Sequence, residues 1–223
     1  KGIEISKELE DQGSYAGANM NLAFMYAISG KDEASFKYLD IAEPILKKMN
    51  NYFFLAMIEK IKAVNYFNLR DFENGIKYFE ISDSMFSRIH DTVVFPLDRI
   101  QSLILSDNND NAKIMLEVEY DFSTSPNLEI LFRILYSIVM NKKDNGIKAK
   151  LDDYGNQSGV DKEPMFTWIV YYWAFVLFKD KNSINLSYNY IMSFSNMIPA
   201  EFKSSFLKTT IPKMIVEEWE KVK

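Results

Sequence analysis

The stretch NLAFMYAISGKD at residues 21–32 returns in altered form as IKAVNYFNLRDF at residues 61–72, an offset of forty residues. A unit of this length, with apolar residues at helical spacing between short polar turns, predicts a pair of antiparallel helices. Such a pair buries its apolar face by stacking on copies of itself. Matching residues occupy equivalent positions in the two copies: Ala23 and Ala63, Tyr26 and Tyr66, Leu39 and Phe79, and Ile41 and Ile81.

Repetition of this unit along the chain predicts an all-α fold, a solenoid of about five helix pairs in a single domain over residues 1–223. The forty-residue spacing is regular up to Asp91 and shorter beyond it. The predicted helix pairs span residues 14–50, 51–90, 91–122, 126–154 and 161–197, and residues 198–223 form a C-terminal cap.

The first thirteen residues fit the end of a truncated upstream repeat. Extending the offset backwards places Ile5 on Ile45 and Leu9 on Met49, so that Lys1 falls in the middle of a second helix. We therefore expect the chain to be a fragment whose missing partner helix lies upstream.

Composition restricts the classes of partner. The chain has 26 basic and 31 acidic residues, a net charge of -5, and no stripe of Lys or Arg long enough to neutralise several phosphates, so direct nucleic-acid binding is not expected. There is no cysteine for a disulfide or a thiolate metal site, which is typical of a cytoplasmic protein. The apolar run from Met165 to Phe178 is shorter than the roughly 20 residues that cross a bilayer, so no membrane partner is expected.

That apolar run predicts a buried helix over residues 162–178. Aromatic residues occupy all its sides, and a helix that is apolar all round is either enclosed by the protein or available to a partner. The second possibility gives an alternative function, homo-oligomerisation, for example as a homodimer, through this helix. The aromatic residues are Trp168, Tyr171, Tyr172, Trp173, Phe175 and Phe178.

The first helix of the unit resembles the tetratricopeptide repeat, in which a large residue, a small one and an aromatic stand at fixed spacing. Leu22, Ala23 and Tyr26 fit this pattern, and Gly75 with Phe79 fits the second helix, although the motif-closing proline is absent. The forty-residue length resembles the extended repeats of bacterial signalling proteins and transcription regulators. This resemblance implies a right-handed α-α superhelix. It also implies a cytoplasmic sensory or scaffolding segment of a larger bacterial regulator, which binds a protein or peptide.

In such solenoids the first helix of each pair lines the concave face, which implies a set of exposed partner-binding residues. Their amides would pair with the backbone of an extended peptide and their rings would hold its side chains. The alternative is that most of these rings pack between repeats. The implied set is Asn21, Phe24, Ile61, Asn68, Asp98, Gln101, Phe132, Leu135, Tyr172 and Phe175.

Residues for catalysis or metal binding are sparse. His90 is the only histidine, and no nucleophile motif accompanies it. Asp107, Asn109 and Asn111 resemble the start of a calcium loop, but Ala112 stands where the loop needs glycine, which favours a helix-capping turn. We therefore expect no enzyme activity, no catalytic residue, no metal site and no cofactor.

Overall fold

A computed structural model describes residues 4–5, 11–89, 96–118, 126–142, 145–156 and 164–223, and these parts of the chain contain helices and no strand. The helices pack against their neighbours in sequence, so the prediction of an all-α, solenoid-like fold is confirmed. Residues 6–10, which belong to the predicted end of a truncated upstream repeat, and His90 lie outside the described residues.

The chain divides into two compact units. The first comprises Lys1–Ser106 and Ser204–Thr210, and the second comprises Asp107–Lys203 and Ile211–Lys223. The predicted grouping into one continuous repeat domain stays a prediction.

The first unit contains the regular repeat. Its first four helices have 17 residues each, and the third and fourth begin forty residues after the first and second, which is the offset seen in the sequence. The described helices of this unit, before its segment Ser204–Thr210, are α1 (Gln12–Ile28), α2 (Asp32–Lys48), α3 (Tyr52–Asn68), α4 (Phe72–Arg88) and α5 (Pro96–Leu105).

Short polar turns set the ends of these helices. Asp11, Asn51 and Asp71 cap α1, α3 and α4, each accepting a hydrogen bond from the backbone N–H three residues later. Gly30 and Arg70 occupy equivalent turns with positive φ angles of 69° and 60°. The repeat therefore preserves the turn conformation even where glycine is replaced.

The same aromatic contact closes both repeats. Tyr26 stacks on Tyr38 with ring centroids 5.4 Å apart, and forty residues later Tyr66 stacks on Tyr78 at 5.2 Å. Behind these pairs lies a core of small and branched side chains shared by α1, α2 and α3: Ala16, Met20, Ala23, Ala27, Leu39, Ala42, Leu46, Leu55, Ile58 and Ile61.

The later helices are less regular. In the second unit α7 packs against α6, α8 and α9, and α9 packs against α10. α8 continues through Gly155 to Asn156. The helices after α5 are α6 (Asn109–Val118), α7 (Pro126–Val139), α8 (Asn145–Asn156), α9 (Pro164–Phe178), α10 (Lys181–Ser195), α11 (Ala200–Phe206) and α12 (Thr210–Val222).

The aromatic helix α9 is enclosed, as predicted for a buried helix. All residues from 167 to 175 are buried, Tyr171 stacks on Tyr190, and the Ser187 hydroxyl donates a 2.7 Å hydrogen bond to the Trp168 carbonyl. Residues 167–175 therefore present no exposed apolar surface to a second copy of the chain.

Candidate functional site

The structure separates the predicted partner-binding residues into three groups. Asn21 and Phe24 are exposed, as expected, and Asn68 and Asp98 are half-buried. The predicted exposure is wrong for the other six residues, whose side chains are buried. For the three aromatic residues among them, this agrees with the alternative interpretation, in which the rings pack between repeats. The buried residues are Ile61, Gln101, Phe132, Leu135, Tyr172 and Phe175.

Asn68 supports the repeat rather than an open groove. Its side-chain amide donates hydrogen bonds to the Ala27 carbonyl at 2.8 Å and to the Asp32 carboxylate at 3.1 Å. Burial raises the pKa of Asp32, and the hydrogen bond from Asn68 partly offsets that rise. Asn68 therefore ties the end of α3 to the turn between α1 and α2.

Asp98 belongs to a group of charges that links α3, α4 and α5. Burial raises the pKa of Asp98, and the positive charge of Lys60 opposes the rise. Beside it the Arg99 guanidinium contacts the carboxylates of Asp83 at 2.6 Å and Glu80 at 3.3 Å. Each acidic side chain of this group thus has a cation near it, which favours a structural role over ligand binding.

Exposed apolar side chains are concentrated on one side of α1. Phe24, Met25 and Ile28 are 40%, 54% and 43% exposed, and Asn21 stands one turn before them. The spacing of three and four residues places all four on one face of the helix. α1 contains no charged residue. We call Asn21, Phe24, Met25 and Ile28 the α1 strip.

The equivalent face of α3 is covered. Asn65, forty residues after Met25, is 0% exposed, and its side-chain amide donates a 2.9 Å hydrogen bond to the Ser35 hydroxyl of α2. Ile61, the equivalent of Asn21, is also buried. The α1 strip therefore occupies positions that are buried or half-buried one repeat later.

A second exposed surface lies along α4. Lys77, Ile81, Met85 and Arg88 follow one another on one face of the helix, and Tyr52 at the start of α3 borders the same open groove. The outer face of α2 repeats this order of cation, isoleucine, apolar residue and cation forty residues earlier. Charges flank the apolar residues at each repeat, as on the solvent-facing side of a helix.

In the structure the calcium-like segment forms a turn that leads into a helix. The Asn109 side-chain amide donates a 3.1 Å hydrogen bond to the Asp107 carboxylate, and α6 begins at Asn109. Among the described residues, no group of three or more histidine and acidic side chains is arranged to hold a metal ion.

Sequence reasoning missed Met25 and Ile28. A detectable signal was present, because both apolar residues stand where the second copy of the repeat has asparagine, at Asn65 and Asn68. An apolar residue that replaces a buried polar one at equivalent positions indicates a change in what covers that face.

No protein-family description, curated protein or solved structure matches the chain. In the part of the chain that the structure describes, no helix is both long and apolar enough to cross a membrane.

Proposed function

We propose that this chain is a helical repeat module that binds a protein or peptide, as the cytoplasmic sensory or scaffolding segment of a larger bacterial regulator. The observation that carries the binding role is the α1 strip, an exposed, apolar and uncharged helix face in a chain whose other described first helices are largely covered. The wider setting rests on the resemblance to extended tetratricopeptide repeats.

The strip is suited to association by apolar burial. Fully burying a Phe, Met or Ile side chain contributes about 1.5 to 3 kcal/mol, so covering three that are half exposed contributes a few kcal/mol in all. Association also costs translational and rotational freedom, so a partner needs contacts beyond the strip. A contiguous apolar patch with a polar residue at its end is typical of protein interaction sites.

Site-specific cross-linking tests this role. A photo-reactive amino acid at Phe24 should cross-link a discrete partner in cells of the source organism. The adduct should disappear when Ile28 is changed to Asp, because a charge on the strip opposes apolar burial. Lys37 on the exposed side of α2 is the matched control position. Identical adducts from Phe24 and Lys37, or none from Phe24, would contradict the proposal.

A further inference from the structure

The first unit is completed by a short segment from near the end of the chain. Ser204–Thr210 belongs to this unit, although residues 107–203 separate it in sequence from the rest. The repeats of a solenoid contact mainly their neighbours, so a contact over such a distance is an addition to the repeat plan. The segment begins within α11 and ends at the first residue of α12. We call Ser204–Thr210 the clasp.

The clasp rests on the turn that follows α1. A Cβ atom at Gly30 would stand 2.5 Å from the Ser205 carbonyl oxygen and 2.7 Å from the Thr209 methyl group. The equivalent turn one repeat later holds Arg70 at a similar φ angle, so the turn itself does not demand glycine. Glycine at the first turn therefore makes room for the backbone of the clasp.

The clasp also reaches the end of α3. The Thr210 hydroxyl donates a 2.5 Å hydrogen bond to the Phe67 carbonyl and lies 3.4 Å from the Asn68 carbonyl. The Phe67 carbonyl accepts a second hydrogen bond, from the Arg70 backbone N–H at 3.0 Å. A carbonyl oxygen has two lone pairs, so this group keeps a partner when Thr210 moves away.

Hydrogen bonds within the clasp hold its shape. The Lys208 N–H donates to the Ser205 carbonyl at 3.0 Å. The Thr209 N–H and hydroxyl both donate to the Phe206 carbonyl, at 3.0 and 2.7 Å. These bonds need not break when the clasp moves as a whole. The buried side chains of the clasp are Phe206, Thr209 and Thr210.

We propose that the clasp is a reversible closure, which leaves the rest of the first unit as one piece while α1–α4 stay folded. Its internal hydrogen bonds and the second partner of the Phe67 carbonyl both lower the cost of this step. Local openings occur in proteins at free energies below that of global unfolding. Undocking uncovers the turn at Gly30 and the end of α3. It does not depend on the proposed role of the α1 strip.

Because the chain contains no cysteine, single cysteines can report on this opening. Thr209→Cys and Thr210→Cys place a thiol in the clasp, at side chains that are 7% and 1% exposed, and Ser82→Cys places one in α4 at a side chain that is 2% exposed. Each full-length variant reacts with a thiol reagent at several urea concentrations below its unfolding transition. The ratio of this rate to that of the same variant fully unfolded gives the protection of the thiol. Circular dichroism and thermal unfolding confirm that each variant is folded.

We expect both clasp reporters to be protected, but at least about tenfold less than Ser82→Cys. Their labelling rates should depend little on urea, because undocking exposes little surface, whereas that of Ser82→Cys should rise steeply.

A change at Gly30 should shift the opening itself. Gly30→Ala should speed labelling of the clasp reporters at least about tenfold, and that of Ser82→Cys less, since the added Cβ displaces the Ser205 backbone. Gly17→Ala, inside α1 with no atom nearer than 4.0 Å to the added Cβ, is the matched control and should change neither rate. An effect of Gly30→Ala no larger than that of the control would contradict the close fit over Gly30.

Equal protection and equal urea dependence at the clasp and at Ser82→Cys would overturn the proposal, because the clasp would then open only when the unit unfolds. Labelling of both clasp reporters at the rate of the unfolded chain would also overturn it, because the clasp would not be docked. Disagreement between the two reporters would show that the clasp does not leave as one piece. None of these results changes the outcome of the cross-linking test at Phe24, so the two proposals can fail separately.

Discussion

Gly30 stands at a turn where the backbone allows little change. Its φ of 69° lies in the left-handed region, and a Cβ atom there would stand 2.5 Å from the carbonyl oxygen of Ser205. The equivalent turn holds Arg70 at a similar φ, so conformation alone does not require glycine. Glycine is required here because residues 204–210, which belong to the same unit, approach the turn closely.

We expect Gly30→Ala to destabilise the protein by more than the roughly 1 kcal/mol that a left-handed alanine costs, because the Ser205 backbone must also shift. Urea unfolding measures the change. Gly17→Ala is the matched control: it lies inside α1 with no atom nearer than 4.0 Å to the added Cβ, so it should be neutral or slightly stabilising. An equal loss of stability in both variants would contradict the role of the Ser205 contact.

Glu43 links α2 to α3 through charge. Burial raises its pKa, but hydrogen bonds from Lys47 and Lys62 outweigh burial and hold the pKa below its ordinary value of 4.5. Because the pKa of Glu43 is lower in the folded state than its ordinary value, its charged carboxylate stabilises the fold at pH values above that ordinary pKa. This stabilisation is lost as the pH falls through the pKa of the folded state.

We expect Glu43→Gln to lower the free energy of unfolding by about 1 to 2 kcal/mol at pH 7, between the values for exposed and buried ion pairs. The difference from the unchanged chain should shrink as the pH falls below 4.5. Urea unfolding at neutral and acidic pH measures it. Glu218→Gln, at an exposed pair with Lys221, is the control and should change stability little. A difference that does not depend on pH would show that charge is not its cause.

At the scale of helices, α1 and α9 are both rich in apolar residues but have opposite surroundings. α9 is enclosed along residues 167–175, whereas α1 exposes one face. Apolar content therefore stabilises the fold in α9 and leaves surface for a partner in α1.

This contrast predicts different costs of truncation. Trp173→Ala, at a side chain 1% exposed, should lower the free energy of unfolding by about 3 to 5 kcal/mol, and Phe24→Ala should lower it by less than about 1 kcal/mol. Chemical denaturation of both variants tests the difference. A large loss with Phe24→Ala would place the strip in the folding core and contradict its availability for binding.

For the whole molecule, periodicity was sufficient to predict the fold class. The repeat between residues 21–32 and 61–72 predicts helices whose starts are forty residues apart, and α1 and α3 start at that spacing. The exact start of α1 was not predicted, because the first pair was expected to begin at residue 14, whereas Asp11 caps a helix that begins at Gln12.

The candidate site was only partly predictable. Asn21 and Phe24 follow from the register of the repeat, but exposure depends on which helix lies above a face, and the register does not contain that information. Equivalent positions therefore differ, as Met25 and Asn65 do. Likewise the rings of Phe132 and Tyr172 fit the register of a groove yet pack inside.

The face of α1 can also be described by what the repeat conserves and what it lets vary. Where α1 has Met25 and Ile28, α3 has Asn65 and Asn68, whose amides donate hydrogen bonds to Ser35 and to the Ala27 carbonyl. The small residue beneath is the same in both helices, since Ala23 and Ala63 are each 0% exposed. Outward-facing residues of the repeat can therefore change during evolution without any alteration of the core beneath them.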